Sequence, residues 1–327
     1  MLRVRDRFRR AAAPPPQATV LREDELLSSE LMTSLRRMRI SAPRVQRGTF
    51  AGEHRSRRRG TSPEFTDFKS YTPGDDIRRV DWNLYARLDT LFVRVSEVTT
   101  DLTVHLVVDS SVSMDWRSDG SPVTKAHFGR QLAAVLGYVT LWHFDRMRVS
   151  PFTPGLRAPL GPVSGRTRIN ELLDYLSMAP VADSIGVGEA LHRLGHLVSS
   201  PGMLVVISDF LSDEADSVAT QVRTLISRGW DVLLVQTLDR AELEPELMFP
   251  LGDRNEPVTL VDSESAAEVL LVPGGDAFST YREGLEPWLA AIAEAARSSG
   301  AKYVRLTSDQ DLEPTVVHLL HEIGLLA

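Results

Sequence analysis

Four oxygen-bearing side chains follow two apolar stretches of the sequence and could together do chemistry. Asp109, Ser111 and Ser113 form a D-x-S-x-S sequence directly after one apolar run, and Asp209 follows another. Carboxylate and hydroxyl oxygens are the ligands that Mg²⁺ and Mn²⁺ favour. We therefore expect these residues to form an incomplete cage for Mg²⁺ or Mn²⁺ that leaves positions for water and an incoming ligand. The alternative is that Asp109 caps a turn and that the two serines cap the next helix.

The segments around these residues alternate between short apolar runs and longer helical patterns. The pattern predicts strands near 91–95, 103–108, 146–152, 203–207, 232–237 and 303–306. It predicts helices near 22–40, 124–144, 168–176, 187–197, 212–228, 278–298 and 312–323. Such alternation is typical of an α/β fold with a mostly parallel sheet and helices on both faces. Ligands bind such sheets at the carboxyl ends of the strands, where Asp109 and Asp209 are expected to meet.

The sequence also predicts the local structure of two further segments. The apolar runs VTLV and VLLV, within about 255–273, predict a β-hairpin insertion. Residues 161–165, Gly-Pro-Val-Ser-Gly, are interpreted as a turn-rich loop.

Composition and charge exclude several classes of protein. The 327 residues contain no cysteine, which excludes disulfide frameworks, thiol nucleophiles and cysteine-ligated metal centres. Residues 1–100 hold 20 basic and 13 acidic residues, whereas residues 101–327 hold 17 and 31. The basic front could bind nucleic acid or an anionic surface, or it could pair with the acidic body.

The same patterns suggest three parts of the chain. We expect a disordered basic arm at 1–18, an N-terminal extension at 19–100 and the α/β domain at 101–327. No apolar run approaches the roughly 20 residues of a membrane-spanning helix, so a cytoplasmic protein is expected. An arginine-rich stretch within the extension could contact phosphate or an acidic partner, or could simply be solvated; it contains Arg55, Arg57, Arg58 and Arg59.

The D-x-S-x-S sequence after a buried strand resembles the metal-ion-dependent adhesion site of the von Willebrand factor A fold. The resemblance covers about 102–310 and implies that Asp109, Ser111, Ser113 and Asp209 are metal ligands. The family usually adds a threonine from an intermediate loop. Ile185 stands at that position here, and the adjacent Ser184 is a candidate substitute.

A second segment indicates a more specific family. Residues 64–83 read EFTDFKSYTPGDDIRRVDWN, and the later strand end continues as D-x-S-x-S-M. Together they resemble the bacterial domain-of-unknown-function family 58, and the likeness covers about 45–325. Its signature positions here are Pro73, Gly74, Asp75, Asp76, Arg78, Asp81 and Trp82. We interpret the segment as a structural clamp in which Trp82 is buried; the alternative is a binding surface.

The resemblance implies a non-enzymatic, protein-binding adaptor. Family members are typically encoded beside MoxR-type AAA+ ATPases, so the expected partners are such an ATPase and an unknown client protein. One alternative is a metal-dependent hydrolase that uses Asp109. It lacks a second acid two residues on, where Ser111 stands, and no base accompanies it. The other alternative is nucleic-acid binding by the basic front, which lacks interleaved aromatic residues.

Overall fold

The computed structural model describes most of the α/β part of the chain and parts of the N-terminal region. The described residues are 26–38, 40, 65–72, 77, 80–96, 102–152, 158–179, 185–198, 200–211, 215–249, 257–261 and 268–316. The predicted basic arm, the arginine-rich stretch and five of the signature residues, Pro73, Gly74, Asp75, Asp76 and Arg78, lie outside these ranges. The chain divides into two compact units, one made of residues 48–101 and the other of residues 1–47 and 102–327.

Ten strands and eight helices are described. The strands are β1 (Phe65–Ser70), β2 (Phe92–Ser96), β3 (Thr103–Val108), β4 (Arg146–Pro151), β5 (Leu160–Ser164), β6 (Met203–Ser208), β7 (Asp231–Leu238), β8 (Val258–Val261), β9 (Glu268–Leu271) and β10 (Lys302–Thr307). The helices are α1 (Ser29–Leu35), α2 (Trp82–Leu88), α3 (Lys125–Trp142), α4 (Ile169–Ser177), α5 (Val187–Leu197), α6 (Ala215–Ser227), α7 (Arg240–Leu243) and α8 (Gly275–Ser299).

Six of the strands form one sheet in the spatial order β10-β7-β6-β3-β4-β5. All neighbours pair in parallel except β5, which pairs with β4 in the antiparallel direction. From β3 the chain first adds strands on one side and then crosses back to add β6 on the other. This is the doubly wound arrangement, and it confirms the predicted α/β fold with a mostly parallel sheet. The point at which the winding reverses, called the switch point below, lies between β3 and β6.

Continuous apolar runs explain the position of the central strands. Every residue of β6 and β7 is buried, as expected for strands covered on both faces. One core cluster, on the face covered by α3, includes Leu136 and Val205, and the other includes Val206 and Trp230. The alternation of consecutive side chains between the two faces of a strand places the neighbours Val205 and Val206 in different clusters.

Helix α1 packs into the core of the sheet unit. Its Leu31 and Leu35 are buried in the same cluster as Leu136. This helix therefore belongs to the same unit as the sheet, and the second segment of that unit starts at Leu102.

Strand β5 corrects the interpretation of residues 161–165 as a turn-rich loop. Residues 161–164 belong to the edge strand of the sheet, which pairs with β4 with an irregular register between Met147 and Val149. Glycine and proline argue against a central strand, but an edge strand tolerates them because one side of its backbone needs no partner strand. The predicted hairpin is confirmed as the antiparallel pair β8–β9.

In the smaller unit, strands β1 and β2 pair in the antiparallel direction. Asp81 caps α2, because its carboxylate oxygen Oδ1 accepts hydrogen bonds from the backbone N–H groups of Asn83 and Leu84 at 3.0 and 3.1 Å. The next residue, Trp82, is 58% exposed and stacks edge-on against Tyr85. The expectation that Trp82 is buried is therefore wrong, since this turn of helix presents the indole to solvent.

Candidate functional site

Asp109 lies at the switch point, where it connects the ends of β3 and β6. Its carboxylate oxygen Oδ1 accepts a hydrogen bond from Ser111 N at 2.8 Å, and Oδ2 accepts one from the hydroxyl of Ser208 at 2.6 Å. Its backbone N–H donates to the carbonyl of Ile207 at 2.9 Å. The side chain is only 4% exposed. Asp109 is therefore a buried tie between two strand ends, and both of its carboxylate oxygens are engaged.

The two serines of the D-x-S-x-S sequence are buried beside Asp109. Their hydroxyl oxygens lie 2.7 Å apart, so one serine donates a hydrogen bond to the other. Ser113 falls in a short 3-10 helix, Val112–Asp115, that follows β3. The structure confirms that the loop brings both hydroxyls together, as the sequence spacing predicted.

Asp209 directly follows β6 and is paired with a lysine that was not among the predicted site residues. The ammonium of Lys125 lies 2.9 Å from Asp209 Oδ2 and 2.7 Å from Glu242 Oε1. The Lys125 side chain is 1% exposed, and Asp209 is also 1% exposed. The other carboxylate oxygen of Asp209, Oδ1, accepts a hydrogen bond from Leu211 N at 3.0 Å. Lys125 therefore joins the first turn of α3 to the segments that follow β6 and β7.

The end of β7 contributes two acidic residues that sequence reasoning missed. Asp239 and Glu242 form a capping box on α7, in which each side chain accepts from the backbone N–H of the other end of the turn. Asp239 also accepts two hydrogen bonds from Ser118, one from the backbone N–H at 2.9 Å and one from the hydroxyl at 2.8 Å. The sequence signal was available, since D-R-A-E directly follows an apolar strand. We name Asp109, Lys125, Asp209, Asp239 and Glu242 the switch-point cluster.

Burial dominates the electrostatics of the cluster. The pKa of Asp109 is raised to about 7, chiefly by burial and also by the nearby charge of Asp209, against opposing hydrogen bonds from Ser208 and Ser111. Burial alone would lower the pKa of Lys125, but the carboxylates of Asp209 and Glu242 outweigh it and raise that pKa. Burial also raises the pKa of Glu242, against the opposing charge of Lys125. Lys125 is therefore a charged ammonium at neutral pH.

The described ligands fit a divalent ion poorly. A metal bound to Asp209 Oδ2 would have to displace the Lys125 ammonium that already lies against that oxygen. The oxygens of Asp109 accept from Ser111 and Ser208, and the hydroxyls of Ser111 and Ser113 bind each other. Mg²⁺ demands near-octahedral oxygen ligation, which this arrangement does not offer without rearrangement.

The remaining predicted site residues fall into two groups. Ile185, at the position of the usual threonine, is half-buried just before α5 and has no side-chain oxygen to offer. The other predicted residues lie outside the described part of the chain; they are Ser184, Arg55, Arg57, Arg58, Arg59, Pro73, Gly74, Asp75, Asp76 and Arg78.

Comparison with known families identifies the family of this chain. Residues 67–274 match the model of the family described as protein of unknown function DUF58. The chain belongs to the DUF58 family. The DUF58 segment includes β3, β6 and β7, so the whole switch-point cluster lies within it. Uncharacterized proteins of Mycobacterium bovis and of two Mycobacterium tuberculosis strains are each 25% identical over 315 residues, covering 95% of this chain and 94% of their own.

A solved structure also resembles this DUF58 chain in part. It is the conserved hypothetical protein BatB from Bacteroides thetaiotaomicron, with a TM-score of 0.43 and 12% sequence identity. The alignment covers 68% of this chain and 97% of the BatB chain. Within the described ranges, none of the helices has the length and apolar character needed to cross a membrane.

Proposed function

We propose that this chain is a non-enzymatic adaptor that binds a partner protein at the carboxyl edge of its six-stranded sheet. The observation that carries the proposal is the switch-point cluster, whose charged groups are held by ion pairs and hydrogen bonds inside the protein. The cluster fixes the segments that follow β3, β6 and β7 relative to each other. A rigid edge of this kind suits recognition by a partner, because little ordering is left to oppose binding.

The contacts within the switch-point cluster argue against the alternative of a hydrolase that uses Asp109. A nucleophilic carboxylate needs an oxygen that substrate can reach, and both oxygens of this buried side chain accept hydrogen bonds from the protein. Lys125, the cation of the cluster, is held between Asp209 and Glu242. We expect no hydrolysis of phosphoesters, peptides or nucleotides by the purified chain. Turnover that Asp109→Asn abolishes would contradict the adaptor proposal.

A partner would contact the loop that joins the 3-10 helix to α3, since the cluster itself is buried. Arg117 and Asp119 on this loop are exposed, whereas Ser118 between them is tied to Asp239. The guanidinium of Arg117 also donates to the carbonyl of Ser121 at 2.7 Å, which closes the loop. The loop therefore presents charged side chains from a backbone that the cluster holds in place.

The proposed partner is a MoxR-type AAA+ ATPase, with which the adaptor would act on an unknown client protein in chaperone-like assembly or maturation. Membership of DUF58 supports this choice, because relatives are typically encoded beside such ATPases. We propose a cytoplasmic complex, where ATP is available to the partner. Neither Mg²⁺ nor Mn²⁺ in the cluster is needed for this proposal.

The experiment measures affinity between the full chain and the purified ATPase of the same organism by biolayer interferometry. Arg117→Glu should weaken binding by about tenfold or more, since it reverses a charge at the proposed contact. The matched control is Arg297→Glu. Arg297 is 71% exposed near the end of α8, shortly before β10 begins, and parallel strands begin at the edge of the sheet opposite to their carboxyl ends. Absence of binding by the wild-type chain, or equal loss in both variants, would contradict the proposal.

A further inference from the structure

Lys125 is a fully enclosed charge that connects three elements of the fold. Its ammonium contacts Asp209, which follows β6, and Glu242, which lies on α7 after β7. Removing an ammonium from water is strongly unfavourable unless well-placed opposite charges and hydrogen bonds compensate. Two short contacts to two carboxylates supply that compensation here. Lys125 therefore occupies the position between buried carboxylates that a bound cation would occupy.

The choice of residue at this position is unusual for the chain. The sequence contains 34 arginines and only three lysines. An ammonium is a compact point charge with three donors, whereas a guanidinium is a planar fork that needs more room. Lys125 is also the first residue of α3, where the helix dipole disfavours a cation. A compact cation at a site that the helix itself disfavours indicates that the carboxylates determine its presence.

We infer that the ammonium of Lys125 is the resident cation of the switch-point cluster and replaces the divalent ion held by adhesion sites with a D-x-S-x-S sequence. Ile185 agrees with this inference, since it provides no oxygen at the position where such sites carry a threonine. The folded structure should then be independent of Mg²⁺ and Mn²⁺. The inference concerns the cluster itself and does not depend on which partner the chain binds.

The first test is the melting temperature of the full wild-type chain after dialysis against EDTA, with and without millimolar MgCl₂ or MnCl₂. An ion that binds only the folded chain raises the melting temperature as its concentration rises. The inference predicts no change with either ion. A rise that saturates with concentration would overturn it. Because no partner is present, this result is separate from the success or failure of the adaptor proposal.

The second test replaces Lys125 by methionine, which keeps the unbranched stem and removes the charge. Leaving two buried carboxylates without their cation should lower the melting temperature by roughly 10 °C. The matched control is Lys302→Met. Lys302 is the first residue of β10 and so lies at the amino ends of the parallel strands, away from the cluster, and its replacement should change the melting temperature much less. A Lys125→Met chain as stable as wild type would overturn the inference. If this variant does not accumulate as folded protein, the titration of the wild-type chain decides alone.

Discussion

Acid should destabilise this protein through one histidine in the middle of its central strand. His105 lies in β3 and is buried, and its ring packs edge-on against Trp230 with 4.8 Å between ring centroids. Neither ring nitrogen has a hydrogen-bond partner among the described residues. Burial, with a smaller contribution from the charge of Arg148, lowers the pKa of His105 from 6.5 to about 4. Protonation of this ring is therefore much easier in the unfolded chain than in the folded one.

The size of the effect follows from the two pKa values. Each unit of difference corresponds to about 1.4 kcal/mol, so a fall from 6.5 to about 4 corresponds to about 3 kcal/mol of unfolding free energy. The folded pKa of His105 lies below the unfolded one, so the unfolded state binds the proton first as acid is added. The contribution of neutral His105 is complete above about pH 6.5 and is lost as the pH falls toward about 4.

Urea unfolding of wild type and His105→Leu measures this loss. Between about pH 7.5 and about pH 4.5, the wild-type chain should lose about 2–3 kcal/mol more than the variant, because leucine cannot be protonated. Comparing the two chains removes the contribution of the carboxyl groups, which titrate in both. His192→Leu, a change at an exposed histidine of α5, should leave the wild-type pH dependence in place. Parallel pH curves for wild type and His105→Leu would refute the reasoning.

Two pairs of matched substitutions test the packing by urea unfolding. Trp230→Ala should lower the free energy of unfolding by about 3–5 kcal/mol, because Trp230 is only 2% exposed. Trp82→Ala should change it by about 0.5 kcal/mol or less, because Trp82 is exposed. Equal losses in the two variants would show that the indole of Trp82 is buried in solution. Gly202→Ala should cost about 1–3 kcal/mol, since the added methyl group meets the carbonyl oxygen of Thr103. Gly275→Ala meets nothing within 4 Å and should be neutral or stabilise by up to about 1 kcal/mol, so a large loss there would contradict the open space at that position.

The sequence was sufficient for much of the fold and for two of the five residues of the switch-point cluster. Central parallel strands are buried on both faces, so β3 and β6 are continuous apolar runs that local pattern identifies. Asp109 and Asp209 follow those runs, and the rule that parallel strands end at one edge brings them together. Strand β5 was missed because its glycine and proline read as a turn, and only its pairing with β4 reveals an edge strand.

The partner of Asp209 could not be predicted in the same way. Lys125 is separated from Asp209 by 84 positions and from Glu242 by 117, so no local pattern reports their contact. One local signal was present, since a cation in the first turn of a helix opposes the helix dipole. The burial of Trp82 was predicted wrongly. A large aromatic side chain within a family signature suggests a core position, but its exposure depends on the surrounding fold.

Nitrogen-15 NMR of the lysine ammonium groups tests the closed cluster most directly. With only three lysines in the chain, selective labelling gives a simple spectrum, and Lys125→Met assigns the signal of Lys125. A buried ammonium paired with two carboxylates exchanges its protons slowly, whereas a solvated one exchanges them fast. We predict a protected ammonium signal at neutral pH that assigns to Lys125 and keeps its position when millimolar Mg²⁺ is added. Absence of a protected signal, or its loss on addition of Mg²⁺, would contradict a cluster closed by Lys125.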